Sequence, residues 1–383
     1  MSKIGKVSEE AWPKKLLFVI SSLKGGGAER VLANIINNLD KNKYQISLAV
    51  FNKEGPHLGT INKQIKVVDF KKRNKLDFVK MIVKLKDLIK KENPDFLVSF
   101  LAYPNIISFF ARSLSKSKCK VVMSERGYRV YTRVRFGLRL INKMLIQYVY
   151  RQAYRIIVVS KGIKSLLVTD LKIPPQIITI IHNPLLIDQI NKLKGKKVEH
   201  YFFKEKPKKP IIISVGSLIR VKRQDILLKA FFLARQKEEA LLLVLGKGHL
   251  LDKLKNVARE LGISNYVNFI GFQNNPYKWM FRSDIFVLSS ESEGFPSVLL
   301  EALACEVPVI STDCASGPGE IIQDSISGKL VPVNDPIKLA EAMVELIRDD
   351  GLCRKFKRVG IKRAEDFKVE KIITEYEKIF CIS

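Results

Sequence analysis

Short apolar runs alternate with amphipathic segments along nearly the whole chain of 383 residues. KKLLFVI (14–20), YQISLAV (44–50), DFLVSF (95–100), CKVVMS (119–124) and RIIVVS (155–160) are too continuously apolar for strands with one wet face. They read as strands of a parallel sheet covered on both sides. AERVLANIINNL (28–39) carries the helical period between the first two. The alternation restarts at IIISVGSL (211–218) and continues through RQDILLKAFFLARQ, ALLLVLGKG, LDKLKNVARELG, VNFIGF, DIFVLSS, PSVLLEALAC and VPVIST. Between the two series lies NKLKGKKVEHYFFKEKPKKP (191–210), whose Pro, Gly and dense charge oppose core burial. The pattern predicts an α/β protein of two doubly wound domains. The expected boundaries are 1–190, a linker at 191–209, 210–366, and a C-terminal helix at 367–383 packing back on the first domain. Ligands of open parallel sheets sit at the carboxyl ends of the strands, and with two domains the expected site is the cleft between them.

Charge changes the picture for one half only. The formal net charge is +29, and residues 1–195 hold 37 Lys+Arg against 13 Asp+Glu. That half is expected to meet a polyanion: a membrane surface, a nucleic acid or a phosphorylated substrate. Five cysteines, odd in number and never in a CxxC pair, indicate neither disulfides nor zinc, and fit a reducing cytoplasm. The start, MSKIGKVSEE, carries acids where a signal peptide needs an apolar run, and the longest uncharged stretch, Phe96 to Ala111, is interrupted by Pro104 and Asn105. No membrane span is expected. Four scattered histidines offer no metal cluster and no triad, and His182-Asn183-Pro184 reads as a turn near the interdomain hinge.

Two glycine-bearing stretches fall at strand ends. In SSLKGGGAER, Gly26 and Gly27 lie between strand and helix, where they serve either a tight turn or close approach of a phosphate or acceptor to helix N–H groups. The stretch is neither GxGxxG nor a Walker loop. In ESEGFPSVLLEA, Pro296 suits the first turn of a helix, so that Gly294 and Phe295 precede a helix N-terminus that favours a diphosphate. Glu293 would then stand in the loop and Glu301 in the second helical turn. Carboxylates accept hydrogen bonds from vicinal diols, and both residues also suit a solvated helix face.

ESEGFPSVLLEALACEVPVISTD closely resembles the Glu-x7-Glu signature of family 4 retaining glycosyltransferases of the GT-B fold. VGSLIRVKRQDILLKAF is similar to that family's VGRLxxxKGxxxLxxAF unit, and SSLKGGGAERV to its N-terminal glycine loop. The resemblance covers nearly the whole chain. It implies that Lys222 neutralises the donor diphosphate, that Glu301 holds the nucleotide ribose and Glu293 the transferred sugar, and that Gly294, Phe295 and Pro296 present backbone to sugar and phosphates. It places Gly271 and Phe272 beside the base. The family's usual arginine is replaced by Ser217, leaving Arg220 or Arg223 to substitute. DCASGPGEII resembles the DCPSGPREIL of members that elongate lipid-linked amino sugars, with Gly319 for the arginine. In VVMSERGYRV, Glu125 is expected either to polarise an acceptor hydroxyl or orient the sugar, or to be structural, and Arg126 to hold a phosphate.

The implied reaction is retaining transfer of a hexose or N-acetylhexosamine, first of all from a UDP-sugar, to a polyprenyl-diphosphate-linked or lipopolysaccharide glycan. No metal is required where Lys222 and helix N-termini supply positive charge, and no Asp-x-Asp occurs. The segment Arg129 to Arg155 holds seven basic residues and no acid among tyrosines, leucines and isoleucines. Arg126, Arg129, Arg133, Arg135 and Arg139 are therefore expected at the acceptor or on the anionic inner face of the cell membrane. The competing classes are a nucleic-acid-binding protein on a Rossmann-like scaffold, for which the recognised motifs are missing, and a noncatalytic or epimerising nucleotide-sugar binder on the same frame.

Overall fold

The computed structural model describes residues 13–74, 77–127, 139–204 and 209–381. Its backbone divides into two compact units: Met1–Val158 with Leu167–Thr179 and Ile373–Ser383, and Val159–Leu166 with Ile180–Ile372. Within 191–209 the chain completes helix Ile187–Lys194 and adds a 3-10 turn at Tyr201–Phe203, where the side chain of Phe202 is buried.

In chain order the first sheet and its helices are β1 (Lys14–Ile20), α1 (Gly27–Asn38), β2 (Tyr44–Val50), β3 (Lys66–Asp69), α2 (Phe78–Glu92), β4 (Phe96–Phe100), α3 (Ala102–Ser115), β5 (Lys120–Glu125), α4 (Arg139–Arg151), β6 (Arg155–Val158), α5 (Lys161–Thr169) and β7 (Ile178–Ile180). The strand order is β3-β2-β1-β4-β5-β6-β7, and the paired strands β1 to β6 run parallel. Order reverses beside β1, which makes the loops after β1 and β4 the switch point of this sheet. The strand interiors are sealed because side chains on both faces meet helices. Phe18, Val19 and Ile20 of β1 are fully buried, as are Leu97, Val98 and Phe100 of β4.

The second series runs α6 (Ile187–Lys194), β8 (Ile211–Val215), α7 (Gln224–Arg235), β9 (Leu241–Leu245), α8 (Leu251–Glu260), β10 (Val267–Gly271), α9 (Tyr277–Met280), β11 (Ile285–Leu288), α10 (Ser297–Ala304), β12 (Val309–Thr312), α11 (Pro318–Ile321), β13 (Lys329–Val331), α12 (Pro336–Arg348), α13 (Asp350–Ala364) and α14 (Val369–Cys381). Its sheet has the order β10-β9-β8-β11-β12-β13 and is parallel throughout. Reversal occurs at β8, so the loops after β8 and β11 face each other across the switch point. Leu227, Leu228 and Phe231 of α7 pack with Leu242, Val287 and Met343 in the core that holds this edge. Both sheets are Rossmann-like.

Candidate active site

The loop after β8 is built tightly. Gly246 has φ +141°, and a Cβ there would lie 1.8 Å from the carbonyl oxygen of Gly216. Gly216 N–H donates to Leu245 O and Leu218 N–H to Lys247 O, which zips the loops after β8 and β9 together. A 3-10 turn, Arg220–Lys222, follows, and Arg223 takes a left-handed φ of 49° to start α7. The turn is fastened from the other side of the switch point, since Ser289 Oγ donates to Lys222 O at 2.9 Å and Glu291 N–H to Val221 O at 2.8 Å.

That frame aims one cation. Lys222 Nζ donates to Glu293 Oε1 at 2.6 Å, and Ser290 Oγ donates to the same oxygen at 2.6 Å. Both side chains are mostly buried, at 20% and 11% exposure, so solvent screens the pair only partly. Three N–H bonds radiate from an ammonium, and the pair engages one of them. The result is an ammonium held in place by Glu293, which stands in the loop leading into α10.

Pro296 does not enter that helix. With φ −75° and ψ 94° it is the N-cap residue, and its carbonyl accepts from Leu299 N–H at 3.0 Å. The preceding loop is held by its carbonyls: Ser316 Oγ donates to Gly294 O at 2.8 Å, and Asn183 Nδ2 donates to Phe295 O at 2.9 Å and to Ser297 Oγ at 3.0 Å. The His182 ring stacks on Phe295 with centroids 4.6 Å apart. Gly317, at φ +94°, lets the β12 loop press against Pro296, where a Cβ would come within 2.7 Å of Cδ. These bonds fix the residues that lead into the N-terminus of α10, the end of a helix that favours an anion. Glu301, in the second turn, is 5% exposed. Its charge, after burial, holds the Cys305 thiol far above its ordinary range.

The other expected donor residues fall nearby or turn away. Ser217 and Arg220 are exposed. Arg223 is committed elsewhere: it donates to both carboxylate oxygens of Asp225, at 3.0 and 3.1 Å, and also to Asn334. The bond to Asp225 raises the Arg223 pKa. Burial pushes Asp225 the other way, but the Arg223 bond and charge outweigh it, and its carboxyl lies below the usual range. Gly271 closes β10 with φ +80°, and Phe272 is 55% exposed with Lys247 Nζ 5.3 Å from its ring centroid. Lys247 carried no sequence signal of its own; Gly246 N–H donates to Gly271 O at 2.9 Å, and this bond between the ends of β9 and β10 sets Lys247 near Phe272.

In the first unit Gly26 caps α1 and Gly27 opens it. A Cβ at Gly26 would meet Glu29 Oε2 at 2.2 Å, so the chain's own carboxylate lies over the helix start; Gly27 is unobstructed. Glu125 ends β5 and is 2% exposed. Its Oε1 accepts from the N–H groups of Arg126 and Gly127, both at 2.9 Å, and its Oε2 accepts from Tyr150 at 2.7 Å. Burial, then the Glu125 charge, pushes the Tyr150 phenol well above its ordinary value. Together these bonds shape the 125–127 turn. Arg126 stacks on Phe100, 4.7 Å from the centroid, and donates to Tyr376 at 2.7 Å. Arg129, Arg133 and Arg135 lie outside the described residues, and Arg139 is the first residue of α4. Among the described residues no group of three His, Cys, Asp or Glu is placed to hold a metal.

Residues 196–363 match the family described as Glycosyl transferases group 1, and residues 25–188 match Glycosyltransferase Family 4. The chain is 33% identical over 371 residues to the N-acetylgalactosamine-N,N'-diacetylbacillosaminyl-diphospho-undecaprenol 4-alpha-N-acetylgalactosaminyltransferase of Campylobacter jejuni, covering 94% of this chain and 97% of that one. It is 26% identical to the lipopolysaccharide 1,6-galactosyltransferase of Salmonella typhimurium, over 82% and 85% of the two chains. HepE of Anabaena, solved with UDP-glucose, superposes with a TM-score of 0.78 at 18% identity, covering 96% of this chain and 99% of that one.

Proposed function

The chain belongs to the family 4 glycosyltransferases of the GT-B fold, and we propose that it is a retaining enzyme that moves an N-acetylhexosamine or hexose from a UDP-sugar to a polyprenyl-diphosphate-linked glycan. The observation that carries this reading is the Lys222–Glu293 pair set beside the N-terminus of α10 at the switch point of the second sheet. Breaking a sugar–phosphate bond builds negative charge on the departing diphosphate. Lys222 and the first N–H groups of α10 supply fixed positive charge at that place, which lowers the barrier without reorganisation. Glu293 holds Lys222 in position and offers its second oxygen to a sugar hydroxyl. Glu301 accepts from the ribose diol, while Phe272 and Lys247 flank the base. Arg220 is the arginine available to the diphosphate, because Arg223 is spent on Asp225.

In the transfer itself the acceptor hydroxyl attacks the anomeric carbon from the side the diphosphate leaves. The C1–O bond breaks with its electron pair going to UDP, and the acceptor proton passes to the leaving phosphate oxygen. Configuration is kept, and the positive charge comes from the protein without a metal. The Campylobacter relative, which acts on a diphospho-undecaprenol glycan, supports that acceptor class. The Salmonella relative supports a lipopolysaccharide acceptor as the second reading, at lower identity and coverage. Either acceptor places the reaction at the inner face of the cell membrane.

A panel of UDP-, GDP- and ADP-sugars, scored by thermal shift and by hydrolysis, tests the donor. UDP-N-acetylhexosamine or UDP-hexose should shift the melt. The anomeric proton coupling of the first product should report the donor's own configuration. No shift with any nucleotide sugar, or an inverted product, overturns the reading.

A further inference from the structure

Four consecutive residues, Val159–Gly162, lead the chain from the end of β6 into α5 and belong to the second unit. Each makes a different contact with the segments around Gly294 and Phe295. The Val159 carbonyl accepts from His182 Nδ1 at 2.9 Å, and the ring held in this way is the one stacked on Phe295. Ser160 Oγ lies 2.6 Å from Ser316 Oγ, and Lys161 N–H donates to both carboxylate oxygens of Glu320, at 2.7 and 2.9 Å. Gly162 has no room for a side chain, since a Cβ there would lie 2.4 Å from the Ala315 carbonyl oxygen and 2.8 Å from Ser316 Cβ. Backbones packed this closely move together or not at all.

The serine pair has a direction. Ser316 has one hydroxyl proton, and it goes to Gly294 O at 2.8 Å, so the proton between the two serines is that of Ser160. Ser160 Oγ accepts in turn from Ile163 N–H at 3.3 Å. The chain Ile163 N–H, Ser160, Ser316, Gly294 O is therefore polarised one way, which strengthens its members, and it is closed to solvent: Ser160 is 0% and Ser316 4% exposed. Two arms of one tetrapeptide thus end on adjacent residues, Gly294 and Phe295, and the residue before them, Glu293, holds Lys222 at 2.6 Å. We infer that Val159–Gly162 is the strut of the loop before α10, and that Ser160 and Ser316 are positioning residues that keep Glu293, and through it Lys222, in register with the departing diphosphate. Ser160 acts only through Ser316, whose proton reaches the loop. The inference rests on the donor role proposed above for Lys222 and Glu293.

Hydrogen exchange on the ligand-free, full-length chain tests the strut without any substrate. Ser316→Ala and, to a smaller extent, Ser160→Ala should speed exchange across residues 291–299 while β8, β9 and β11 keep their protection. Gly162→Ala, which pushes the Ala315 carbonyl away, should loosen the same residues by a separate route. Steady-state kinetics with the donor found in the screen then tests the positioning. Ser316→Ala should lose about ten-fold or more in kcat, with a smaller change in donor KM, because the reacting groups are displaced and not removed. Adding Ser160→Ala to Ser316→Ala should cost nothing further, since one serine acts through the other. Unchanged exchange at 291–299 in both serine variants overturns the strut. Faster exchange with wild-type kcat and KM overturns the positioning role, and losses that multiply in the double variant overturn the relay. A wild type that turns over no nucleotide sugar would instead overturn the proposed reaction and the kinetic claim with it, while the exchange result still decides the strut, so the two failures are told apart.

Discussion

Lys222 illustrates how little one side chain says before its neighbours are placed. It is one of 67 basic residues. What distinguishes it is Glu293 at 2.6 Å, held by Ser290, in a pair that water reaches only partly. Replacing Lys222 by Ala should lower kcat by roughly 10²–10³, the cost of deleting one preorganised stabilising group, while the fold is retained with a melting temperature lowered by the unpaired, mostly buried Glu293. Steady-state kinetics with the donor found in the screen checks this, and wild-type turnover would remove Lys222 from the mechanism. The two arginines beside it separate in the same assay. Arg220→Ala should raise the donor KM and leave the melt alone. Arg223→Ala should instead cost stability by freeing Asp225, at near-normal kcat/KM. The reverse pattern would assign the diphosphate to Arg223. Sequence reading left these two level, because their spacing along the chain does not reveal that a left-handed φ at Arg223 turns its guanidinium back onto Asp225.

Elements carried more of the sequence signal than residues did. Continuous apolar runs such as IIISV and LLLVL have no solvent face to offer, so parallel strands between helices were legible from pattern alone. The start of α10 was legible to within one residue; Pro296 caps it instead of entering it. What the pattern did not show is how the loop before α10 is held. Asn183 and Phe295 are 112 positions apart, and a turn motif at 182–184 carries no hint of the partner its side chain meets. Asn183 is here a positioning residue, acting through Phe295 O and Ser297 Oγ. Asn183→Ala should leave those acceptors unpaired at about 1–3 kcal/mol, and let the loop drift from Lys222. A small misplacement there should lower kcat more than it raises donor KM, while Asn183→Asp, which loses the N–H donors at equal size, should behave like the alanine variant. Equal losses in the two constants, or an active Asn183→Asp, would make the contact structural only.

At the scale of the whole chain, residues far apart in sequence close one core. Ile373–Ser383 belong to the same unit as β1. Phe380 is fully buried, with its ring 5.8 Å from Tyr44 and 5.3 Å from Phe96, and its carbonyl accepts from Lys14 Nζ at 2.9 Å. The apolar period of the last helix was readable, but its partners on β1, β2 and β4, at the far end of the chain, were not. Phe380→Ala should cost about 3–5 kcal/mol. A chain ending at residue 372 should lose hydrogen-exchange protection in β1, β2 and β4 while β8, β9 and β11 keep theirs. The same cluster predicts a pH dependence. Burial holds the Tyr44 and Tyr376 phenols above their ordinary value; the charges of Cys381 and Glu377 add to this at Tyr44, and Arg126 offsets part of it at Tyr376. A phenol whose folded pKa is raised keeps its proton longer when folded, so its stability contribution is complete below about pH 10 and is lost as pH rises beyond it. Melting temperature should therefore fall on the alkaline side, and tyrosinate absorbance from these two residues should appear only with unfolding. Tyr44→Phe removes one titrating group and should flatten that fall. An unchanged slope would show that the phenol at position 44 ionises as freely in the folded chain as in the unfolded one, and that the core closed by Phe380 admits water.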